Sequence, residues 1–459
     1  MIFLAEELLA VALVATIGFA AILLVDRGFG ARRGDRGLAL AAALPLGIVV
    51  NAALSLPFLL AGKPPTLAGA TAVAIAFTLA ALFALHRRPA PKPLEMPASW
   101  TLGEKLAAAG IVSALAVLGA IAVLEPAVEW DLLAIWGYKA KVLLAGGDWL
   151  ARLRDPAFAY AHADYPLAWP SALALASTPG VGNVGGGLFG VVLLASAAAF
   201  GAAIVRPWGR RAALVAAALI VMLPIAGAQA VHSLADLPLA TLVLIAGGAL
   251  ARWTSAGDRS TLALGALATA GLPLVKQEGI ALALAVAAIA LWRSAHGTRR
   301  RAASFLSAAF VVIDLPWLIL RTSLPAGAAN SLLDMTPARA VAGLSRLPEL
   351  AALLPVYLGA SADWGALWLL VGLALLVLAV RRLRGPALSR STTDLGLFLV
   401  APTPLYLGAL LAAGWEPARL AEVTLARLAL HFALLATVVA VSVAAQTGAF
   451  GIDPSKEKS

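Results

Sequence analysis

Residues 125–170 read EPAVEWDLLAIWGYKAKVLLAGGDWLARLRDPAFAYAHADYPLAWP. The stretch gathers Glu125, Glu129, Asp131, Lys139, Lys141, Asp148, Arg152, Arg154, Asp155, His162 and Asp164 into a chain otherwise dominated by Ala, Leu and Val. Four of the 12 Trp residues, Trp130, Trp136, Trp149 and Trp169, lie within it. One apolar run ends at its left edge and another begins at 185. Islands of charge between apolar runs recur along the chain. Of 459 residues, 61% are hydrophobic and 13% charged, and the mean hydropathy is +0.92. A soluble domain carries about 25% charge. Runs of about 20 apolar residues are the length of a helical membrane span, and the short alternating segments of a β-barrel are absent. The fold class is therefore an all-α polytopic membrane protein.

Candidate spans cover 2–25, 38–61, 66–86, 105–124, 185–205, 211–229, 236–251, 260–274, 279–293, 303–321, 365–380, 391–412 and 425–446, about thirteen in all. The first begins with Glu6 and Glu7 where a signal peptide carries positive charge, so it reads as a retained helix. Stretches 166–180 and 347–359 are shorter and Pro-interrupted or loop-bounded, and read as juxtamembrane or re-entrant.

Basic loops fix the expected orientation. DRGFGARRGDR (26–36), HRRPAPK (86–92), RPWGRR (206–211), RWTSAGDR (252–259), RSAHGTRRR (293–301) and RRLRG (381–385) fall on one side when spans alternate. That side holds 23 of the 34 Lys and Arg residues, and positive-inside makes it cytoplasmic. The N-terminus is then outside, the C-terminus inside, and 125–170 extracytoplasmic. The same rule accounts for the net charge of +10 by basic loops against membrane lipids, without nucleic acid. With no Cys, disulfides and thiolate metal sites are excluded. No Walker loop, nucleophile elbow or HExxH motif occurs. An enzyme facing outward also has no access to nucleotide sugars or ATP, so its activated substrate must arrive on a lipid.

Several polar residues carry candidate chemistry. Glu129 and Asp131 flank Trp130 just outside a span, where a partly desolvated carboxylate can serve as a general base. On a regular helix the two do not share a face; in a turn both can enter one cleft. Trp130 and Trp136 are interfacial anchors or a wall for a sugar ring. Lys139 and Lys141 are candidates for phosphate oxygens or lipid headgroups. His162, Asp164 and Tyr165 precede Pro166, which holds them at the mouth of the next short helix. The His-x-Asp spacing also leaves a divalent metal open. His232 and Asp236 share a face at i, i+4, as do the cationic Arg427 and His431. Lys276 and Glu278 lie between two apolar runs, near membrane depth. Lys276 and Arg427 are placed best to meet a lipid phosphate.

WDLLAIWGYKAK (130–141), HADYPLAWP (162–170), ADLPLA (235–240), VKQEG (275–279) and ARLALH (426–431), in this order, resemble the GT-C superfamily of polytopic glycosyltransferases. The likeness is to bacterial members related to protein O-mannosyltransferases, the lipid A aminoarabinose transferase and the rhizobial lipopolysaccharide galacturonosyltransferases, over roughly residues 105–435. The resemblance implies an inverting transferase in the bacterial cytoplasmic (inner) membrane, with a polyprenyl-phosphate sugar as donor and a glycolipid, polysaccharide or protein as acceptor. It gives the base to Asp131, with Glu129 competing, and a second acidic position to Asp236. Donor phosphate contacts fall to Lys276, Arg427, Lys139, Lys141 and His431. Substrate contacts fall to Trp136, His162, Asp164, Tyr165, His232, Asp236 and Glu278. No cofactor is required, although a divalent metal is possible. The expected division is a three-helix addition at 1–100, a catalytic module at 101–446 and a cytoplasmic tail at 447–459. A lipid-linked sugar flippase or transporter is the rival reading; it calls for internal repeats, which are absent, and for charges at mid-membrane, of which Asp314 is the one example.

Overall fold

The computed structural model describes residues 2–28, 35–86, 99–125, 128–177, 186–325, 336–385, 387–413 and 415–450. Basic loop residues 29–34 and 87–92, residues 326–335 and most of the tail lie outside these. All regular structure among the described residues is helical. In chain order the helices are α1 (Ile2–Gly28), α2 (Arg36–Leu60), α3 (Leu67–His86), α4 (Leu102–Leu124), α5 (Gly137–Ala145), α6 (Trp149–Arg154), α7 (Ala168–Leu175), α8 (Gly187–Val205), α9 (Arg210–Val221), α10 (Pro224–Val231), α11 (Asp236–Ala256) and α12 (Arg259–Val275). There follow α13 (Glu278–Arg293), α14 (His296–Ile313), α15 (Leu315–Arg321), α16 (Pro337–Ala342), α17 (Leu347–Leu358), α18 (Ser361–Trp364), α19 (Leu367–Arg384), α20 (Arg390–Val400), α21 (Thr403–Ala412), α22 (Pro417–Leu420) and α23 (Ala426–Gln446).

Every candidate span is helical, but the number able to cross a membrane differs from the sequence expectation. Among the described residues nine helical segments are long and apolar enough, or 11 if two bent pairs each count as one. The bent pairs are α9–α10, at 58°, and α14–α15, at 47°. Pro224 and Pro316 follow the two breaks, and each removes a backbone donor that a continuous helix would need. α12 is shorter, at 17 residues. Conversely, 338–358 is long and apolar enough to span, although its sequence reads as juxtamembrane. The short 3-10 turn after α16 joins it to α17 and extends the helical run beyond 347–359. α7 is the other short apolar stretch. Its eight residues rise about 12 Å, too little to cross. All eight are buried, so it is a floor beneath the loop rather than a span.

One apolar core joins the chain from Ala10 to Ala445. α11 is its axis, with 18 buried residues of 21, and α23 packs along it. α2 packs against α7, α8 and α12, so the early helices share this core. Glu7 of α1 accepts hydrogen bonds from the backbone N–H groups of Leu188 and Phe189, two of the unpaired donors at the start of α8. The turn after α2 also grips the charged loop: Trp149 Nε1 donates to the Leu59 carbonyl at 2.7 Å and the Gly147 N–H to the Gly62 carbonyl at 3.0 Å.

Polar residues inside the bundle gather at its two ends. At the end holding the basic loops, buried Asp394 of α20 accepts from Arg293 Nε at 2.6 Å and Thr254 Oγ1 at 2.6 Å. This ties the last turns of α11 and α13 to the first turn of α20. The opposite end of α11 begins at Asp236, and the candidate site lies there.

Candidate functional site

Asp236 is fully buried and is the hub of the site. Its Oδ1 accepts from Lys276 Nζ at 2.6 Å and faces His431 Nε2 at 2.8 Å; its Oδ2 accepts from Arg427 Nε at 3.0 Å. Three local structures deliver these groups. α12 ends at Lys276, whose backbone is extended, and α13 restarts at Glu278. The restart folds tightly over the end of α12: a Cβ on Gly279 would stand 2.0 Å from the Leu272 carbonyl oxygen. Arg427 and His431 are one turn apart at the start of α23, just after a wide π turn at 421–425. Asp236 opens α11, where the helix dipole favours an anion.

Arg427 links this hub to the loop. Its Nη2 reaches Asp131 Oδ2 at 2.5 Å while its Nε holds Asp236. Asp131 begins a second π turn, Asp131–Trp136, in which the Gly137 N–H bonds to the Leu132 carbonyl. Such turns recur at functional sites because they re-aim side chains within a helix. Glu129 lies just before, its carbonyl accepting from the Leu133 N–H at 3.0 Å, and both carboxylates enter one cleft.

That cleft has a volume of about 280 Å³. Glu129, Trp130, Asp131 and Arg427 line one part of it and Ile225, Ala228, Gln229, His232 and Leu234 the rest. Of the residues singled out from sequence, Glu129, Asp131, His232 and Arg427 reach it. Trp130 is 69% exposed at the cleft, whereas Trp136 is buried in the core against Tyr165 and offers no wall to a ligand.

The remaining candidates stand behind or beside the cleft. Lys276 and His431 are buried on Asp236, and none of the three lines the cleft. His431 is fixed on its other side by the Tyr406 hydroxyl, 2.8 Å from Nδ1. Glu278 lies 3.7 Å from Lys276 and outside the cleft lining. Lys139 is fully buried and donates to the backbone carbonyls of His162 and of Tyr165, the latter at 3.0 Å. Burial pushes its ammonium down to about 7, with the Asp164 charge acting in the opposite direction. Lys141, two residues on, is exposed and does not line the cleft.

The HADYP segment is thus a folded support. Lys139 fastens it from below, and His162 stacks on Tyr165 at 4.5 Å between ring centroids. His162 adopts φ +50°, a left-handed conformation that bulky residues rarely take. Burial, with the Lys139 charge adding to it, pushes the His162 imidazole below its usual range; burial pushes the Tyr165 phenol up. Asp164 accepts from Gln277 Nε2 and from Arg321 Nη2, the latter at 3.3 Å. His162 and Asp164 therefore do not converge on a metal. Among the described residues no group of three or more His, Asp or Glu is arranged to hold one.

Sequence reading missed Gln229, Tyr406, Gln277 and Arg321. Gln229 had a usable signal, because it lies three residues before His232 on the same helical face. Gln277 sits between two residues already singled out. Tyr406 and Arg321 have no local signature; their roles come from distant parts of the chain. Chemically, the cleft pairs carboxylates able to take a proton with a guanidinium able to meet an anion, beside a carboxamide, an imidazole and an exposed indole.

Comparison of the chain with protein-family models, curated proteins and solved structures finds no match.

Proposed function

We propose that the protein is a membrane glycosyltransferase. It moves a sugar, with inversion, from a polyprenyl-phosphate donor to an extracytoplasmic acceptor. The observation that carries this reading is Arg427, bridging Asp131 in the cleft and Asp236 in the core. Nε is retained by the hub, so the guanidinium stays anchored while Nη2 is free to exchange partners. A donor phosphate arriving at Arg427 takes over Nη2 and releases Asp131 from its ion pair. Asp131 then accepts the proton of an acceptor hydroxyl as that oxygen bonds to the anomeric carbon. The bond from the anomeric carbon to the phosphate oxygen breaks, and its electron pair leaves with the polyprenyl phosphate. Arg427 meets the charge growing there. Lys276 and His431 are positioning residues, acting through Asp236. Glu129, exposed beside Asp131, is the alternative base. The resemblance of the sequence motifs to the GT-C superfamily supports the same chemistry in a bacterial cytoplasmic membrane, while the apolar runs support about thirteen spans and the basic loops an outward-facing site.

One observation favours transport instead. Two broken helices and fully buried Asp314, both of whose carboxylate oxygens lack partners among the described residues, are features of carriers. The deciding experiment uses purified protein, labelled undecaprenyl-phosphate hexoses and a membrane extract. Transfer that falls about 10²–10⁴-fold in Asp131→Asn and persists in Asp314→Asn supports the transferase. Movement of the labelled lipid between leaflets without a new glycosidic bond refutes it.

A further inference from the structure

Two polar atoms of the cleft have no task in the reaction above. Gln229 Oε1 and His232 Nδ1 are buried and have no hydrogen-bond partner among the described residues. Gln229 as a whole is 7% exposed. Both line the cleft, together with Ile225 and Ala228. These four positions follow i, i+3, i+4 and i+7, so they form one face of α10 and its C-terminal cap. The face is held firmly. Gly190 of α8 packs so closely under it that a Cβ there would stand 2.0 Å from the Ala230 carbonyl oxygen. Beyond it, Trp169 Nε1 donates to the Ser233 carbonyl at 2.7 Å.

A buried acceptor without a partner weakens a fold, and native interiors seldom keep one without a reason. Packing gives none here, since Leu or Phe would fill similar space. A carboxamide and an imidazole are hydrogen-bonding groups suited to hydroxyls; the charged part of a donor has Arg427. A carboxamide oxygen accepts from a hydroxyl, and an imidazole nitrogen donates or accepts according to its tautomer. Trp130 adds an exposed ring at the same cleft. The volume lies just under the roughly 300–1,000 Å³ of pockets for drug-sized ligands, a scale for one sugar ring rather than a glycan.

We infer that the α10 face reads the transferred sugar: Gln229 and His232 hydrogen-bond its ring hydroxyls and set which hexose is accepted. The inference rests on the glycosyl-transfer reading. A ligand hydroxyl satisfies each orphan atom, and a sugar whose hydroxyl points elsewhere leaves it buried and unpaired, so discrimination comes from the mismatch.

The test uses the full chain in nanodiscs. Binding is measured for undecaprenyl phosphate alone and for the same lipid carrying glucose, galactose, mannose or galacturonate, in wild type, Gln229→Leu and His232→Phe. The wild type should bind one sugar-bearing lipid more tightly than the bare lipid. Each variant should lose roughly tenfold of that increment and keep the bare-lipid Kd. Gln229→Leu should also melt no lower than wild type, since an orphan acceptor is replaced by an apolar group. Variants that keep the sugar increment, a wild type that shows none across the panel, or a clear fall in the Gln229→Leu melting temperature each overturn the inference alone. A wild type that binds neither bare nor sugar-bearing lipid removes the transferase reading itself.

Discussion

Replacing Asp236 by Asn keeps the shape of the hub and removes its charge. Three donors then face a neutral amide: Lys276 Nζ at 2.6 Å, His431 Nε2 at 2.8 Å and Arg427 Nε at 3.0 Å. Hydrogen bonds to a charged partner each contribute about 1.5–3 kcal/mol, but forming the cluster also desolvated the ions. Breaking one side of such a buried pair costs about 3–5 kcal/mol, because the remaining charge stays enclosed. Lys276, with 4% of its side chain exposed, loses its close partner and keeps only Glu278, at 3.7 Å. Arg427 is 32% exposed and keeps Asp131, so it loses less. The expected result is a large drop in melting temperature for Asp236→Asn, followed by tryptophan fluorescence in detergent. Lys276→Met in the same background should restore part of it, since the cation that lost its close partner is gone while Glu278 gives up a weaker pair. Sugar transfer should stay low in the double variant, because Arg427 has lost its anchor. An Asp236→Asn protein within about 0.5 kcal/mol of wild type would refute the hub; so would a double variant no more stable than the single.

Further expectations follow from the loop and its supports. Burial holds His162 below its usual pKa, so the unfolded chain binds the extra proton first. Stability should therefore fall as pH drops through about 6.5, and thermal melts of His162→Asn, which tolerates φ +50°, should lose that acid-side slope. Lys139 extends the same sign upward, with stability rising with pH between about 7 and its ordinary 10.5. Gly190→Ala should cost roughly 1–3 kcal/mol in melts and weaken donor binding, because the new methyl meets the Ala230 carbonyl and shifts α10. Trp149→Phe removes the bond to Leu59 and should cost about 1 kcal/mol. Unchanged melts in that variant would show that the α2 turn does not secure the loop.

The sequence by itself determined the class of molecule. Repeated apolar runs leave a chain with no stable arrangement in water, and backbone hydrogen bonding within lipid leaves helices as the solution. It also located the polar segments that meet at the site: Asp131, Asp236, Lys276 and Arg427 were all legible as charges beside apolar runs. Helical spacing put Arg427 and His431 on one face, and both meet Asp236 in the structure. Tertiary structure decided what each charge does. A local pattern shows that a charge lies near the membrane but not whether it faces a cleft or another charge from 40 or 191 residues away, as Lys276 and Arg427 face Asp236. Lys276, Lys139 and His431 read as ligand contacts, and the structure buries each against partners within the protein. Gln229 read as an ordinary polar residue in an apolar helix, and its importance came from having no partner. The stretch 125–170 contributes Glu129, Trp130 and Asp131 to the cleft and Lys139 and Asp164 to its foundations, because Arg427 holds Asp131 at the cleft while backbone carbonyls take Lys139 and Gln277 and Arg321 take Asp164.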